Sequence, residues 1–384
     1  MGSHINPTFW NGRRVLLTGH TGFKGSWLTV WLLKLGAHVT GISLEPEAHP
    51  NLFDELALSI VAPNSEMPGK LTHHIVDIRN DNQLTRIIRE IEPEVVLHMA
   101  AQSLVRRSFL HPVSTWSVNV IGTLNLLRSL ETYTHPCVIV SITTDKVYRN
   151  TGCIDGYQET DQLGGDDPYS ASKTGVEIAV SSWRTSFCGN LTHQTPYLGI
   201  ATARAGNVIG GGDWAEDRLV PDAVRSLTND VPILIRNPGS TRPWQHVLEP
   251  LSGYLVLAER LFEEQKKLSR LETSDAFNRY ASAFNFGPSN HGIRTVQELT
   301  EQILSVWPGS WEIYANVDEY EETQYLNLIS KKAHQELGWD PSWDFETTVE
   351  RTITWYKNRC TGRFEALDAC LNDIDSFTTP TSTA

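Results

Sequence analysis

Short apolar runs alternate with helical patterns through the first half of this chain, and that alternation limits the folds open to it. Val15-Leu16-Leu17, Ala37 to Leu44, His74-Ile75-Val76, Val95 to Met99, Cys137 to Ile142 and Leu198 to Ala203 have the length and apolar content of strands. Between them, Ser26 to Leu35, Gln83 to Ile91, Ser117 to Leu130 and the segment opened by Pro168 carry helical spacing. Gly36 falls near a helix C-terminus, and Pro93 falls in a loop before a strand. Strand–helix units with short connections predict a parallel sheet covered on both faces, each crossover right-handed. Ligands of such sheets bind beyond the C-terminal strand ends.

The residues that follow these strand ends therefore converge on one crevice. The first is Thr18-Gly19-His20-Thr21-Gly22-Phe23-Lys24-Gly25, a Gly-x-x-Gly-x-x-Gly turn between a strand and a helix. Small residues let the backbone approach a pyrophosphate, and the helix N-terminus supplies N–H donors and partial positive charge. The whole turn, with His20, Phe23 and Lys24 beside Gly19, Gly22 and Gly25, is expected to meet a dinucleotide. The His20 ring could crowd the pyrophosphate or add a donor. The expected class is α/β, a Rossmann-like doubly wound parallel sheet with a smaller α/β substrate-binding domain.

An acidic residue holding the adenosine ribose is expected roughly 20 residues past the turn. Ser43 falls at about that point, Glu45 comes slightly late, and no arginine stands by for a 2′-phosphate. The expected cofactor is NAD. Asp77-Ile78 could meet the adenine through a carboxylate and an apolar wall, or simply make a strand-end turn. Ala100-Ala101-Gln102 follow the fourth strand and Thr143-Thr144-Asp145-Lys146 the fifth.

Tyr169 and Lys173 are four residues apart, about one helical turn, and share a helix face. A phenol beside a fixed ammonium loses its proton more easily, because the cation stabilises the phenolate. That suits abstraction of a sugar hydroxyl proton near neutral pH, with a nicotinamide taking hydride from the same carbon. A surface Tyr/Lys pair is common on helices. The upstream turn favours the catalytic reading.

At 384 residues the chain is long enough for two domains. Its 32 Lys and Arg against 45 Asp and Glu give −13, so no nucleic-acid or anionic-membrane partner is expected. Cys137, Cys153, Cys188, Cys360 and Cys370 have neither metal-ligand nor redox spacing and fit a reducing cytoplasm. His73, His74, His98 and His246 are read as structural, with no metal site expected. The N-terminus shows no signal-peptide pattern, and Met1 to His4 are set aside from the fold. Trp27 to Leu44, the longest apolar stretch, is broken by Lys34, Gly36 and His38, so no membrane span is expected. From Gly206 the texture turns loop-rich. Gln245 to Phe262, Thr295 to Val306 and Lys331 to Leu337 read as helices, and Phe284 to Gly287 as a strand. The Thr/Ser/Pro-rich tail, 376–384, reads as disordered.

Taken together, Thr18 to Gly25, Asp77-Ile78, His98 to Gln102, Thr143 to Tyr148, Tyr169 to Lys173, Arg204 to Asn207 and Phe284 to Gly287 resemble the extended short-chain dehydrogenase/reductase superfamily. Thr144-Asp145-Lys146 is similar to its nucleotide-sugar 4,6-dehydratases. Gly210 to Trp214, Arg218 to Asp222 and Arg236 to Val247 resemble segments of the CDP-glucose group, over roughly residues 11 to 360. The resemblance implies an NAD-binding domain over 11–205 plus 243–288 and a nucleotide-sugar-binding domain over 206–242 plus 289–360. It also implies a homo-oligomer, dimer or tetramer, packed through Val118 to Leu130 and Tyr169 to Trp183.

The implied reaction converts CDP-D-glucose to a 4-keto-6-deoxy sugar. Tyr169 is the base at the 4-hydroxyl, Lys173 lowers its pKa, and Thr144 bonds the 4-oxygen. Asp145 protonates the departing 6-hydroxyl. Lys146, or a relay, takes the C5 proton, where the dTDP-glucose enzymes carry a Glu. An amine there needs a depressed pKa. Asn207, Leu219, Val220 and Arg242 are implied along the nucleotide-sugar, and Gln102 and Ser103 could face the hexose. Arg218 is a phosphate contact or a surface ion pair. A 4-epimerase, another sugar-nucleotide dehydratase and a nonenzymatic NAD-binding regulator are the rival readings.

Overall fold

The strand signals are continuous apolar runs because these strands are buried on both faces. Six strands overlap the expected runs: β1 (Arg14–Thr18), β2 (His38–Ser43), β3 (Lys70–Ile75), which begins ahead of the expected His74 and ends before Val76, β4 (Val95–His98), β5 (Cys137–Ile142) and β6 (Leu198–Ala205). A seventh strand, Ala283–Phe286, completes one sheet in the order Ala283–Phe286, β6, β5, β4, β1, β2, β3. Every pairing in it is parallel. The order reverses between β1 and β4, so the crevice lies past the C-terminal ends of those two strands. A computed structural model describes residues 5–47, 49–58, 63–188, 197–270, 277–289, 292–314, 327–362 and 364–379.

Alternate residues feed two cores, one on each sheet face. Val15, Leu17, Leu97, Val138, Val140 and Ala201 point into one. Leu16, Ile42, Val96, Ile139 and Ile200 point into the other. Edge strand β3 has no such burial; its Lys70, Thr72 and His74 suit a half-wet edge. The Phe23–Lys34 helix buries Trp27 and Trp31 against the first core, as does the Leu248–Leu268 helix with Tyr254 and Leu255.

Some boundaries differ from expectation. Gln245-His246 pairs in parallel with Val208-Ile209, so the helix expected from Gln245 starts at Leu248. Expected helix Ser117 to Leu130 is interrupted by a π-helical turn over Ser117–Ile121 before Gly122–Ser129. The tail is the clearest correction. A helix spans Ala366–Thr378, so 376–378 are helical. Phe377 is edge-on to Trp31 at 5.7 Å and to Trp343 at 5.2 Å, and this burial outweighs the polar composition. Residues 380–384 lie outside the described residues. Helices Leu219–Thr228 and Phe345–Cys360 were not read from the sequence.

The glycine triplet Gly210-Gly211-Gly212 serves packing. A Cβ on Gly211 would lie 2.1 Å from Trp355 Cγ. All five cysteines are free. Among the described residues no helix is long and apolar enough to cross a membrane, and no three His, Cys, Asp or Glu are grouped to hold a metal ion.

Candidate active site

The glycine turn is closed tightly onto β4. Gly19 has φ +79°, a backbone region that L side chains rarely adopt, and a Cβ there would sit 2.8 Å from Ala100 N. A Cβ on Gly25 would lie 2.0 Å from Gly19 O. Gly22 caps the Phe23–Lys34 helix with no side-chain hydrogen bond, so its first-turn N–H groups are not consumed by a side-chain cap. Thr21 Oγ1 donates to Leu44 O at 2.8 Å and lies 2.7 Å from Ser43 Oγ, which sets Ser43 beside the turn. These features fit a dinucleotide: a cradle free of side chains for the pyrophosphate and a hydroxyl at the second strand end for the ribose.

His20 takes neither role considered for it. Its ring turns into the core against Phe53 and His73, at 5.3 and 5.7 Å between centroids. Gly41 makes the room, since a Cβ there would be 2.5 Å from the His20 ring. Burial, with His73 nearby, pushes its pKa down to about 4, so the ring stays neutral. Asp77 is held by Arg79, at 3.0 Å from Nε, and its carboxyl is lowered by that pairing. The strand-end turn reading therefore describes its carboxylate. Ile78 is buried beneath Gly122. Gln102 uses its side chain locally, accepting from Leu104 N at 2.6 Å and donating to Thr115 Oγ1 at 3.0 Å. Ser103 stays exposed. His98 lies 2.7 Å from Thr18 Oγ1 and 2.9 Å from Thr123 Oγ1, a neutral structural link as expected, its pKa pushed down to about 3 by burial.

The catalytic candidates meet above β5. Asp167 caps the Pro168–Phe187 helix by accepting from Tyr169 N and Ser170 N, both at 2.9 Å, with Pro168 at the first helical position. Tyr169 and Lys173 are thus held in the first two turns. The Thr144 side chain lies beside the Tyr169 phenol and acts to lower its pKa. Thr144 Oγ1 in turn donates to Asp145 Oδ1 at 2.9 Å, which also accepts from Lys146 Nζ at 3.1 Å. Asp145 Oδ2 is buried with no partner and faces Gly206, where a Cβ would come within 2.8 Å of it. The same site would be 3.0 Å from Pro243, which brings the neighbouring Asn207 and Arg242 to this side of the crevice. Leu219 and Val220 open the helix that follows Arg218.

One electrostatic expectation is reversed. Tyr169 is pushed up to about 12, because burial outweighs the opposing pull of the Thr144 side chain and the nearby Arg218 charge. Lys173 points its Nζ at Ile142 O, 3.0 Å away, and is itself lowered to about 8 by burial against the pull of Glu177. A dry site disfavours the phenolate unless further positive charge arrives.

Two partners of expected site residues, Tyr254 and Asp213, were given no role in the sequence reading. Lys24 donates to Tyr254 OH at 3.2 Å, and burial with Arg218 and Lys173 nearby lowers it to about 7. Arg218 is anchored on Asp213 at 2.7 Å yet bears on Tyr169, so it is an ion pair that faces the site. Arg242 lies on a short strand paired with Ile293–Thr295, its Nη1 donating to Thr241 O at 2.8 Å. Tyr254 carried no motif signal; Asp213 was legible only within the Gly210 to Trp214 resemblance, and Lys24 only as part of the turn.

A parallel sheet with a glycine-rich turn and an acid/base cluster at its switch point defines a Rossmann-type α/β protein. Residues 16–352 match the family model described as GDP-mannose 4,6 dehydratase, and the chain belongs to that family. The CDP-glucose 4,6-dehydratase of Salmonella typhimurium is 43% identical over 355 residues, covering 92% of this chain and 93% of that protein. The dTDP-glucose 4,6-dehydratase of Streptomyces antibioticus is 27% identical over 349 residues, covering 90% and 92%. Among solved structures, dTDP-glucose 4,6-dehydratase from Bacillus anthracis in complex with NAD aligns with a TM-score of 0.72 at 22% identity, covering 90% of this chain and 97% of that one. A UDP-glucose-4-epimerase from Stenotrophomonas maltophila with bound NAD gives 0.74 at 19%, covering 91% and 99%. At such identities the structures speak to the fold alone.

Proposed function

We propose that this chain dehydrates CDP-D-glucose to CDP-4-keto-6-deoxy-D-glucose with NAD as a recycled cofactor. One observation carries the reading: the Thr144 side chain stands beside the phenol suited to oxidation and bonds the carboxylic acid suited to elimination. Similarity to the Salmonella CDP-glucose enzyme supports the choice of substrate. Bound, NAD⁺ would supply a positively charged hydride acceptor for C4 and, once reduced, the hydride for C6. The Gly19–Gly25 turn would hold its pyrophosphate, Ser43 the adenosine ribose and Lys173 the nicotinamide ribose.

Tyr169 accepts the 4-hydroxyl proton, and Thr144 holds the 4-oxygen. The resulting ketone acidifies the C5 proton. With the proton shared by Lys146 and Asp145 on the carboxyl, Lys146 accepts the C5 proton, Asp145 delivers one to the departing 6-hydroxyl from its buried, otherwise unpartnered edge, and Lys146 returns its proton to C5 as hydride reaches C6. Arg218 and Arg242 bind the diphosphate, with Asn207, Leu219 and Val220 along the nucleotide. The substrate lobe comprises 206–242 and 289–360, against a cofactor domain of 11–205 and 243–288. The enzyme is cytoplasmic and works as a homo-oligomer packed through the Gly122–Ser129 and Pro168–Phe187 helices. Exposed Trp116, Ile121 and Ile178 on that face support this.

CDP-glucose carrying deuterium at C4, incubated with NAD⁺, is expected to give a 4-keto product with deuterium at C6. An epimer without loss of water, or preference for dTDP-, UDP- or GDP-glucose, would overturn the reading.

A further inference from the structure

The face that presents Tyr169 and Lys173 continues for one more turn, to Glu177. That side chain is 2% exposed, yet its carboxylate accepts four hydrogen bonds. They come from Thr143 Oγ1 at 2.6 Å, Thr202 Oγ1 at 2.8 Å, and Arg204 Nε and Nη2 at 3.0 and 2.8 Å. Arg204 is 3% exposed and gives Nη1 to the Tyr148 hydroxyl at 2.8 Å, which donates to Asn285 Oδ1 at 2.7 Å. The group spans β5, β6 and the Ala283–Phe286 strand, directly beneath Thr143 to Lys146.

Packing alone does not call for charge here. Apolar residues of similar volume would fill the space without desolvating two ions. What a carboxylate adds is a fixed negative charge one turn from Lys173 and a strong acceptor for Thr143, the neighbour of Thr144. Resting on the proposed reaction, we infer that Glu177 is a positioning residue: its carboxylate keeps Lys173 protonated and holds Thr144 in place against Tyr169.

Other groups around Lys173 do not supply this charge. Its own helix offers Tyr169. The Phe23–Lys34 helix brings Lys24 and β4 brings His98, neither of them an anion. Asp145, on the turn after β5, faces Lys24 and Tyr169. Arg204, on β6, and Arg184, further along the helix, are cations that interact with Glu177 itself. Burial pushes Lys173 down, and Glu177 opposes it. The sign follows: Lys173 is charged below its pKa, so removing Glu177 makes it lose its proton at lower pH.

The test uses the full-length enzyme with NAD⁺ and CDP-glucose. Glu177→Gln is expected to move the alkaline limb of the kcat profile down by roughly one pH unit, leaving KM unchanged. Glu177→Asp, which keeps the charge, should return the limb toward its original position. The Lys173 titration is also read directly, from the ¹³C signal of ε-labelled lysine, and should move the same way. That signal does not depend on which sugar is the substrate, so it separates failure of this inference from failure of the proposed reaction. Should Glu177→Gln not fold, Glu177→Met with Arg204→Leu removes both charges at similar volume, and the same downward movement is expected. An unmoved lysine signal in a folded variant would overturn the inference.

Discussion

The Thr144 hydroxyl sits between the Tyr169 phenol and the Asp145 carboxylate, which also bonds Lys146. Oxidation and elimination chemistry therefore share one short segment after β5 and can be separated by substitution. Lys146→Ala is expected to leave release of the C4 deuterium intact and to lower water loss by 10²-fold or more, about the contribution of one acid/base group. Normal product formation would remove Lys146 from the role. Tyr169 and Lys173 were legible because their spacing is a helix turn and their context a glycine turn. The direction of the Tyr169 pKa was not. Burial depends on how tightly the crevice closes, which spacing does not report. Glu177 escaped notice for a related reason: its importance comes from Thr143, Thr202 and Arg204, which are far away in sequence.

At the scale of elements, the glycine turn works by leaving space. Gly25→Ala would place a methyl 2.0 Å from Gly19 O, with backbone on both sides of the clash. The expected result is about 1–3 kcal/mol of lost stability, read by denaturant melts, together with at least tenfold weaker NAD binding. Equal affinity would show that the turn does not hold the cofactor. Strands β1, β4, β5 and β6 were readable because two-sided burial writes them as apolar runs. The Phe345–Cys360 helix was not. Phe-Glu-Thr-Thr-Val-Glu-Arg-Thr-Ile-Thr-Trp is rich in β-branched and aromatic residues, which favour helix weakly. Its form is set by the packing of Val349, Ile353, Trp355 and Tyr356 into the first core. The Gln245 boundary moved because two residues found a partner in Val208-Ile209.

For the whole molecule, the outward face of the Pro168–Phe187 helix matters most. Ile178 is 59% exposed, and an apolar groove beside it is lined by Trp116, Leu124, Gly175 and Trp183. In the proposed homo-oligomer this face is covered. Ile178→Glu would place a charge there and is expected to reduce the particle mass measured by light scattering toward 43.1 kDa. An unchanged mass would place the contact elsewhere. The sequence suggested these helices as an interface only by resemblance, since the apolar residues on their outer face look like any core stripe until a fold shows what covers them.

The sheet's last member has a consequence for biosynthesis. Ala283–Phe286 pairs with β6 but is encoded after the 206–242 segment and the Leu248–Leu268 helix. During translation β6 leaves the ribosome with one flank bare, an adhesive rim until the later codons are read. Severing the gene after β6 would free not a miniature cofactor domain but a sheet lacking its outer rail, prone to recruit a stranger's strand.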